Sequence, residues 1–483
     1  MTAHCAHPNP YDSPAARRAF LDLDDRLKAL DEEDRDLYRI AHMPGRDRWI
    51  QQIQATGGCA HPIYLAGQST TYDTATGLVL RHYTTAEEPG GRLAVRCRNR
   101  RESRCAPCSR EYQGDTFHLI RAGLLGGKNV PESVKARPRL FVTLTAPGFG
   151  TVHQAGDCHP DRGGRCPHGQ RRACHRTHHD GDALIGQPLC ARCYDYTGHV
   201  LWNAHAPALW KAFTDNLYHH FAAATGTGRT KIRRQVRISA AKVAEYQARG
   251  AVHFHAVLRL DGPDGPATEP PPWASAELLA RCVPTAAAAV ALALPPSDAV
   301  GDLVLRFGEQ LDVHPIDATG LRDDQVAGYV AKYTTKSVEA AGALDRRITD
   351  GDQIPRLRTT EHVRALIGTA WRLGEAPEFA HLRLRAWAHM LGFRGHCLTK
   401  TRAYSTTLGQ LRAARAEHAR SANSPDLYLM TDDGTDTVST WHYVGSGHTP
   451  GEALIAAGIA EDLALMREVI REVLADERAG VSS

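Results

Sequence analysis

Hydrophobic positions recur along this chain with two periods, and each change of period marks an element. From Val252 to Leu260 the alternation is strict. It puts Val252, Phe254, Ala256, Leu258 and Leu260 on one face and His253, His255 and Val257 on the other, which predicts a strand with one side in a core. Residues 139–145 alternate in the same way, Leu140, Val142 and Leu144 against Phe141, Thr143 and Thr145. A strand ending near Glu245 and another over Gly308–His314 complete the period-two segments. Helical spacing governs Val200–Ala224, where Trp202, Leu209, Trp210, Phe213, Leu217 and Phe221 form a core stripe. Asp323 and Asp324 offer an N-cap to a helix over the following Gly328–Lys336. Thr449-Pro450-Gly451-Glu452 is a capping box with Pro at the first helical position, opening a helix to about Arg478. Residues 14–42 read as one or two charged helices. The chain is therefore expected to be α+β, with a central antiparallel sheet flanked by helices and a helical C-terminal region. Four consecutive segments are expected: 1–58, 59–130, 131–345 and 346–483, with insertions at 157–196 and 261–296.

The helix over Gly328–Lys336 carries the most unusual face. Tyr329, Lys332, Tyr333 and Lys336 stand at i, i+3, i+4 and i+7, a spacing that ordinarily carries apolar residues. Two phenols beside two ammonium groups suit attack on a phosphodiester by a side-chain oxygen. Packed tyrosines with snorkelling lysines give the plainer alternative. With only nine lysines among 58 basic residues, two in one octet suggest that arginine would not serve there. The His253-Phe254-His255 pair points both imidazoles one way, as chelation of a single ion requires, although a lone His-x-His also occurs as packing.

Composition narrows the class without deciding it. A chain of 483 residues with 42% hydrophobic and 23% charged residues can bury a large core. A net charge of +4 does not by itself imply a nucleic-acid partner. Residues 1–30 lack the form of a signal peptide and the longest apolar run, Ala286–Leu294, is too short for a bilayer, so no membrane partner and a cytoplasmic location are expected. Twelve cysteines there are expected to bind metal rather than pair. Cys59, Cys97, Cys105 and Cys108 make one structural Zn²⁺ site, with Arg92, Arg96, Arg98, Arg100, Arg101, Arg104 and Arg110 around it. A second is assigned to Cys166, Cys174, Cys190 and Cys193, with Cys158 and His168 in reserve. Trp387–Tyr404 interleaves aromatic and basic groups, which fits either a nucleic-acid surface or core aromatics with peripheral charge.

The His-hydrophobic-His strand and the tyrosine helix together resemble the HUH endonucleases, which nick DNA. The octet from Tyr329 to Lys336 is similar to the two-tyrosine helix of rolling-circle initiators from single-stranded DNA phages. Leu140–Gly150, the His strand, the tyrosine helix and Trp387–His396 resemble replication initiators of actinobacterial plasmids and integrative elements, over about Cys59 to Arg415. The resemblance implies an HUH nuclease domain within 131–345 and a third metal ligand from an acid before the His pair. Glu245 is that acid, with Asp312 and His314 as alternatives. It further implies a catalytic Mg²⁺ or Mn²⁺ on His253, His255 and Glu245, attack by Tyr333, a second exchange by Tyr329, and charge support from Lys332 and Lys336. The partners implied are double-stranded origin DNA, a single-stranded nick site, and a host helicase and polymerase. Initiators that pair one tyrosine with a glutamate four residues earlier differ from this chain, where Tyr329 stands at that position. A transposase or relaxase of the same superfamily, or a zinc-containing DNA-binding regulator without enzymatic activity, are the rival readings.

Overall fold

The computed structural model describes residues 25–160, 163–297, 300–317, 321–335, 344, 346–423 and 434–480. These fold into two compact units, one of Met1–Tyr112 with His418–Ser483 and the other of Gln113–Glu417. The division cuts across the expected 59–130 and 346–483 segments. The reason is a strand pairing between residues more than 360 positions apart, which no local pattern encodes.

In the first unit, α1 (Glu32–His42), α2 (Arg46–Ala55), β1 (Ile63–Asp73), β2 (Val79–Thr84) and β3 (Leu93–Val95) come from the N-terminal part. The expected helix over 14–42 is seen only in its second half, since 1–24 lie outside the described residues. A strand at Thr435–Ser446 runs antiparallel along the whole of β1, from Ile63 opposite Ser446 to Asp73 opposite Thr435. The C-terminal helix, Pro450–Gly480, starts with the expected reciprocal cap. The Thr449 amide donates to Glu452 Oε2 at 3.1 Å, and the Glu452 amide to Thr449 Oγ1 at 3.4 Å. Ile40, Trp49, Ile53, Tyr64, Ala94 and Ala456 make the small core of this unit.

The helix α3 (Ala106–Leu125) contributes residues to both units. In the second, the period-two segments become β4 (Arg139–Leu144), β5 (Arg237–Tyr246), β6 (Val252–Asp261) and β7 (Leu311–Pro315). Between and after them come α4 (Tyr196–Ala224), α5 (Ala276–Ala288), α6 (Asp323–Thr335), α7 (Glu361–Leu373) and β8 (Leu398–Lys400). The five strands form one antiparallel sheet in the order β7-β4-β6-β5-β8. The fold is thus α+β with antiparallel sheets, as the two periods require.

Alternation gives the central sheet two different faces. Leu140, Val142, Leu144, Phe254, Ala256, Leu258 and Leu260 join the main core with Trp202, Phe213 and Phe221 of α4. The opposite face presents Phe141, Ala241, Val243 and Val257, which Val326, Ala327 and Val330 of α6 cover. On that face Arg259 is fully buried, its Nη2 2.8 Å from Asp261 Oδ2, and its Nη1 donates to the Tyr404 carbonyl at 3.1 Å. Tyr404 is itself fully buried and His389 nearly so. The Trp387–Tyr404 segment therefore puts these rings in the core rather than on a nucleic-acid surface.

Candidate active site and metal-binding groups

Register brings the acid and the imidazoles together. β5 and β6 are the arms of a hairpin in which Glu245 lies directly opposite His253 and Val243 opposite His255. Directly opposed residues share a face of the sheet, so one carboxylate reaches both rings. Glu245 Oε2 is 3.1 Å from His253 Nε2 and 3.0 Å from His255 Nε2. Glu245 and His255 are buried and His253 half-buried. Adjacent corners of an octahedron with 2.1 Å bonds are about 3.0 Å apart, so these separations match one face of a six-coordinate divalent ion. Three such donors leave the other positions for water and substrate oxygens. Asp312 and His314, the alternative acids and bases, are exposed on the edge strand β7 and lie outside this group.

His255 is held from behind. Thr143 is its partner on β4, and Thr143 Oγ1 lies 3.1 Å from His255 Nδ1. With Nδ1–H donating to that hydroxyl oxygen, the Nε2 lone pair is directed at the donor group, the usual arrangement behind a metal-binding histidine. Phe141 stacks on the same ring at 5.9 Å between centroids and 4° between planes.

The helix α6 carries its buried stripe at Val326, Val330 and Thr334, spaced four residues apart. Tyr329 and Tyr333 stand one position before two of these and so lie along the edge of the stripe. Their rings are 4.4 Å apart, and they approach the His255 ring at 5.1 and 5.4 Å. Asp323 and Asp324 occupy the first turn rather than a cap. They tie the helix down through an ion pair of Asp323 with Arg139 on β4 and a 2.9 Å contact of Asp324 with Arg121 on α3. Lys332 is exposed, its Nζ 6.0 Å from the Tyr333 ring centroid. Lys336 lies outside the described residues. Burial, a hydrogen bond with Tyr333, and the nearby charges of Tyr333, Glu245 and Asp312 push the Tyr329 phenol well above its ordinary pKa.

The thiol-rich groups are built differently. Cys59, Cys97, Cys105 and Cys108 converge in the first unit, with Cys59 Sγ 3.7 Å from Cys105 Sγ and 3.6 Å from Cys108 Sγ. Sulfurs on a tetrahedral zinc with 2.3 Å bonds stand about 3.8 Å apart, so the spacing fits. Amides of Ala60, Cys97 and Asn99 donate to three of the sulfurs at 3.3–3.4 Å. Side by side, the four thiols cannot all ionise without a cation. Hydrogen bonds with Cys105 and burial push Cys59 up to about 12, and burial does the same to Cys97, while bonds from Cys108 and Cys59 depress Cys105.

In the 157–196 insertion the structure corrects the expected set. Cys166, Cys190 and Cys193 converge with His168, not with Cys174. Cys174 joins Cys158, His178 and His153 instead. Neither His178 nor His153 belongs to the expected set, and His153 lies before the insertion's expected start. The signal available was spacing: His153 precedes Cys158 by five residues, and Cys174 precedes His178 by four.

A family profile described as replication initiator protein, pSAM2, matches residues 45–461. A replication initiator protein of Streptomyces ambofaciens is 46% identical over 453 residues, covering 92% of this chain and 96% of the relative. No solved structure matches the chain. Spanning both units and every donor group described above, the match establishes that this chain belongs to the pSAM2 replication initiator family.

Proposed function

We propose that this initiator is a metal-dependent DNA nickase and strand transferase of the HUH type, which starts and ends rolling-circle replication. The observation that carries the reading is the convergence of Glu245, His253 and His255 with two phenols packed on His255. Glu245, His253 and His255 would hold Mg²⁺ or Mn²⁺. That ion supplies polarisation of the scissile phosphate and offsets the charge of its pentacoordinate transition state.

The chain's own residues then do the following. The Tyr333 oxygen attacks phosphorus; a phosphotyrosine bond forms to the 5′ side and the bond to the 3′ oxygen breaks. The phenol gives up its proton, and the departing 3′ oxygen takes one to become a hydroxyl that a polymerase can extend. One phosphoester replaces another, so a later hydroxyl can reverse the step without an energy source. Tyr329, one turn away, takes over the strand in the second exchange. Tyr333 acts first because Lys332 stands beside it in sequence, its Nζ 6.0 Å from the Tyr333 ring centroid. Lys336 is assigned the same supporting role from its spacing alone.

The substrates on this reading are a double-stranded origin and its single-stranded nick site, acted on in the cytoplasm with a host helicase and polymerase. Zn²⁺ at the thiol-rich groups is structural, since four protein donors leave no position for substrate. A labelled single-stranded origin oligonucleotide incubated with the purified protein and Mn²⁺ should give a denaturant-resistant adduct that EDTA prevents. No adduct with any divalent ion would leave the non-enzymatic DNA-binding reading in its place.

A further inference from the structure

The donors of the insertion are arranged in pairs, and the pairs alternate. In chain order they are His153 and Cys158, Cys166 and His168, Cys174 and His178, then Cys190 and Cys193. The first and third pairs converge as one group and the second and fourth as another. In the first group His153 Nδ1 is 3.2 Å from His178 Nε2, Cys158 Sγ 3.6 Å from His153 Nδ1, and Cys174 Sγ 3.6 Å from His178 Nε2. In the second, His168 Nδ1 is 3.2 Å from Cys193 Sγ and 3.8 Å from Cys190 Sγ. Ligand atoms on a tetrahedral zinc, with nitrogen near 2.05 Å and sulfur near 2.3 Å, stand about 3.3–3.8 Å apart.

A separate observation marks the first group as a metal site. Asp182 Oδ2 accepts from His178 Nδ1 at 2.6 Å, which turns Nε2 toward the other three donors. His178 is buried, yet among the described residues from Val152 to Cys193 only Val152, half-buried, packs against an apolar cluster. Among the described residues there, regular structure consists of two paired segments of two residues each, one short turn and two isolated bridges. Something other than a hydrophobic core must hold this segment.

We propose that residues 151–160 and 163–194 form a cross-braced module holding two zinc ions, one on His153, Cys158, Cys174 and His178 and one on Cys166, His168, Cys190 and Cys193. Interleaving makes each ion close a loop that contains a ligand pair of the other, so each half braces the other. The module bears on the hairpin that carries Glu245 and His253. Gly186, with φ +84°, lies so close to the hairpin turn that an added Cβ would sit 2.4 Å from the Ala248 backbone carbon. His153 and Gly186 also line a cleft of about 950 Å³ together with Gln247 and Arg249 of that turn. The zinc assignment stands whether or not the nicking reading does.

Native mass spectrometry of the full-length protein, purified with zinc and rinsed with EDTA to empty the carboxylate–imidazole group, should count three zinc ions per chain, one for each thiol-containing group. Cys158→Ala with Cys174→Ala should lower the count by one, or by two if opening one half releases the other. X-ray absorption at the zinc edge, on the wild type and so independent of any variant's folding, should give nine sulfurs to three nitrogens across the sites. A wild-type count of two, an unchanged count in the double variant, or a donor shell without nitrogen would overturn the proposal.

Discussion

The Glu245–His253–His255 group and the Cys59–Cys97–Cys105–Cys108 group each gather metal-ligating atoms within bonding reach of one point, and they differ in almost everything else. The first has three donors, oxygen and nitrogen, on neighbouring strands whose other face is core. The second has four thiols, three of them fully buried, on loops and the start of a helix. Donor number separates their roles: a four-thiolate centre is closed and can only hold the chain together, whereas a three-donor centre stays open to a ligand. Support separates them too. The strands need no ion to keep their register, while the thiols repel one another once ionised.

His255→Ala or Glu245→Ala should lower cleavage by at least roughly 10²–10³-fold, the scale of losing one electrostatic stabiliser. The melting temperature should stay within a few degrees, because the core face of the hairpin is untouched; a gel assay with thermal melts checks both. A large loss of stability would mean that the group is structural after all. Cys105→Ser should do the reverse, losing zinc and destabilising the first unit, since site and fold form together. Zinc content and melting temperature are the readouts, and an unchanged melt would break the contrast. Tyr329→Phe should keep adduct formation while losing most rejoining of the displaced strand into closed circles, scored on circular product. Thr143→Val should be the mildest, weakening metal binding about 10-fold, at the low end of the range for a supporting group, measured by the Mn²⁺ dependence of cleavage.

Strand alternation made much of the site legible beforehand. His253 and His255 had to share a face because one apolar residue separates them, and the eight-residue gap to Glu245 suits a hairpin. The tyrosine helix was equally readable from its spacing. What could not be read was pairing over distance. Thr435–Ser446 completes a sheet begun at Ile63, and no composition shift announces it. The donor groups of the insertion escape a thiol-based reading for another reason: three of their eight donors are histidines. A set chosen for its thiols took Cys174 from one group into the other. Tyr404 left two readings open, because an aromatic beside arginines looks alike from sequence whether it faces solvent or, as here, packs against a buried Arg259.

The most direct test of the account is to trap the covalent adduct on single-stranded origin DNA, digest it, and locate the nucleotide by tandem mass spectrometry. The account predicts a 5′-phosphotyrosine on Tyr333 in the wild type and loss of the initial adduct in Tyr333→Phe. A modification found only on Tyr329 would reverse the order of the two tyrosines, and one found on neither would contradict the mechanism.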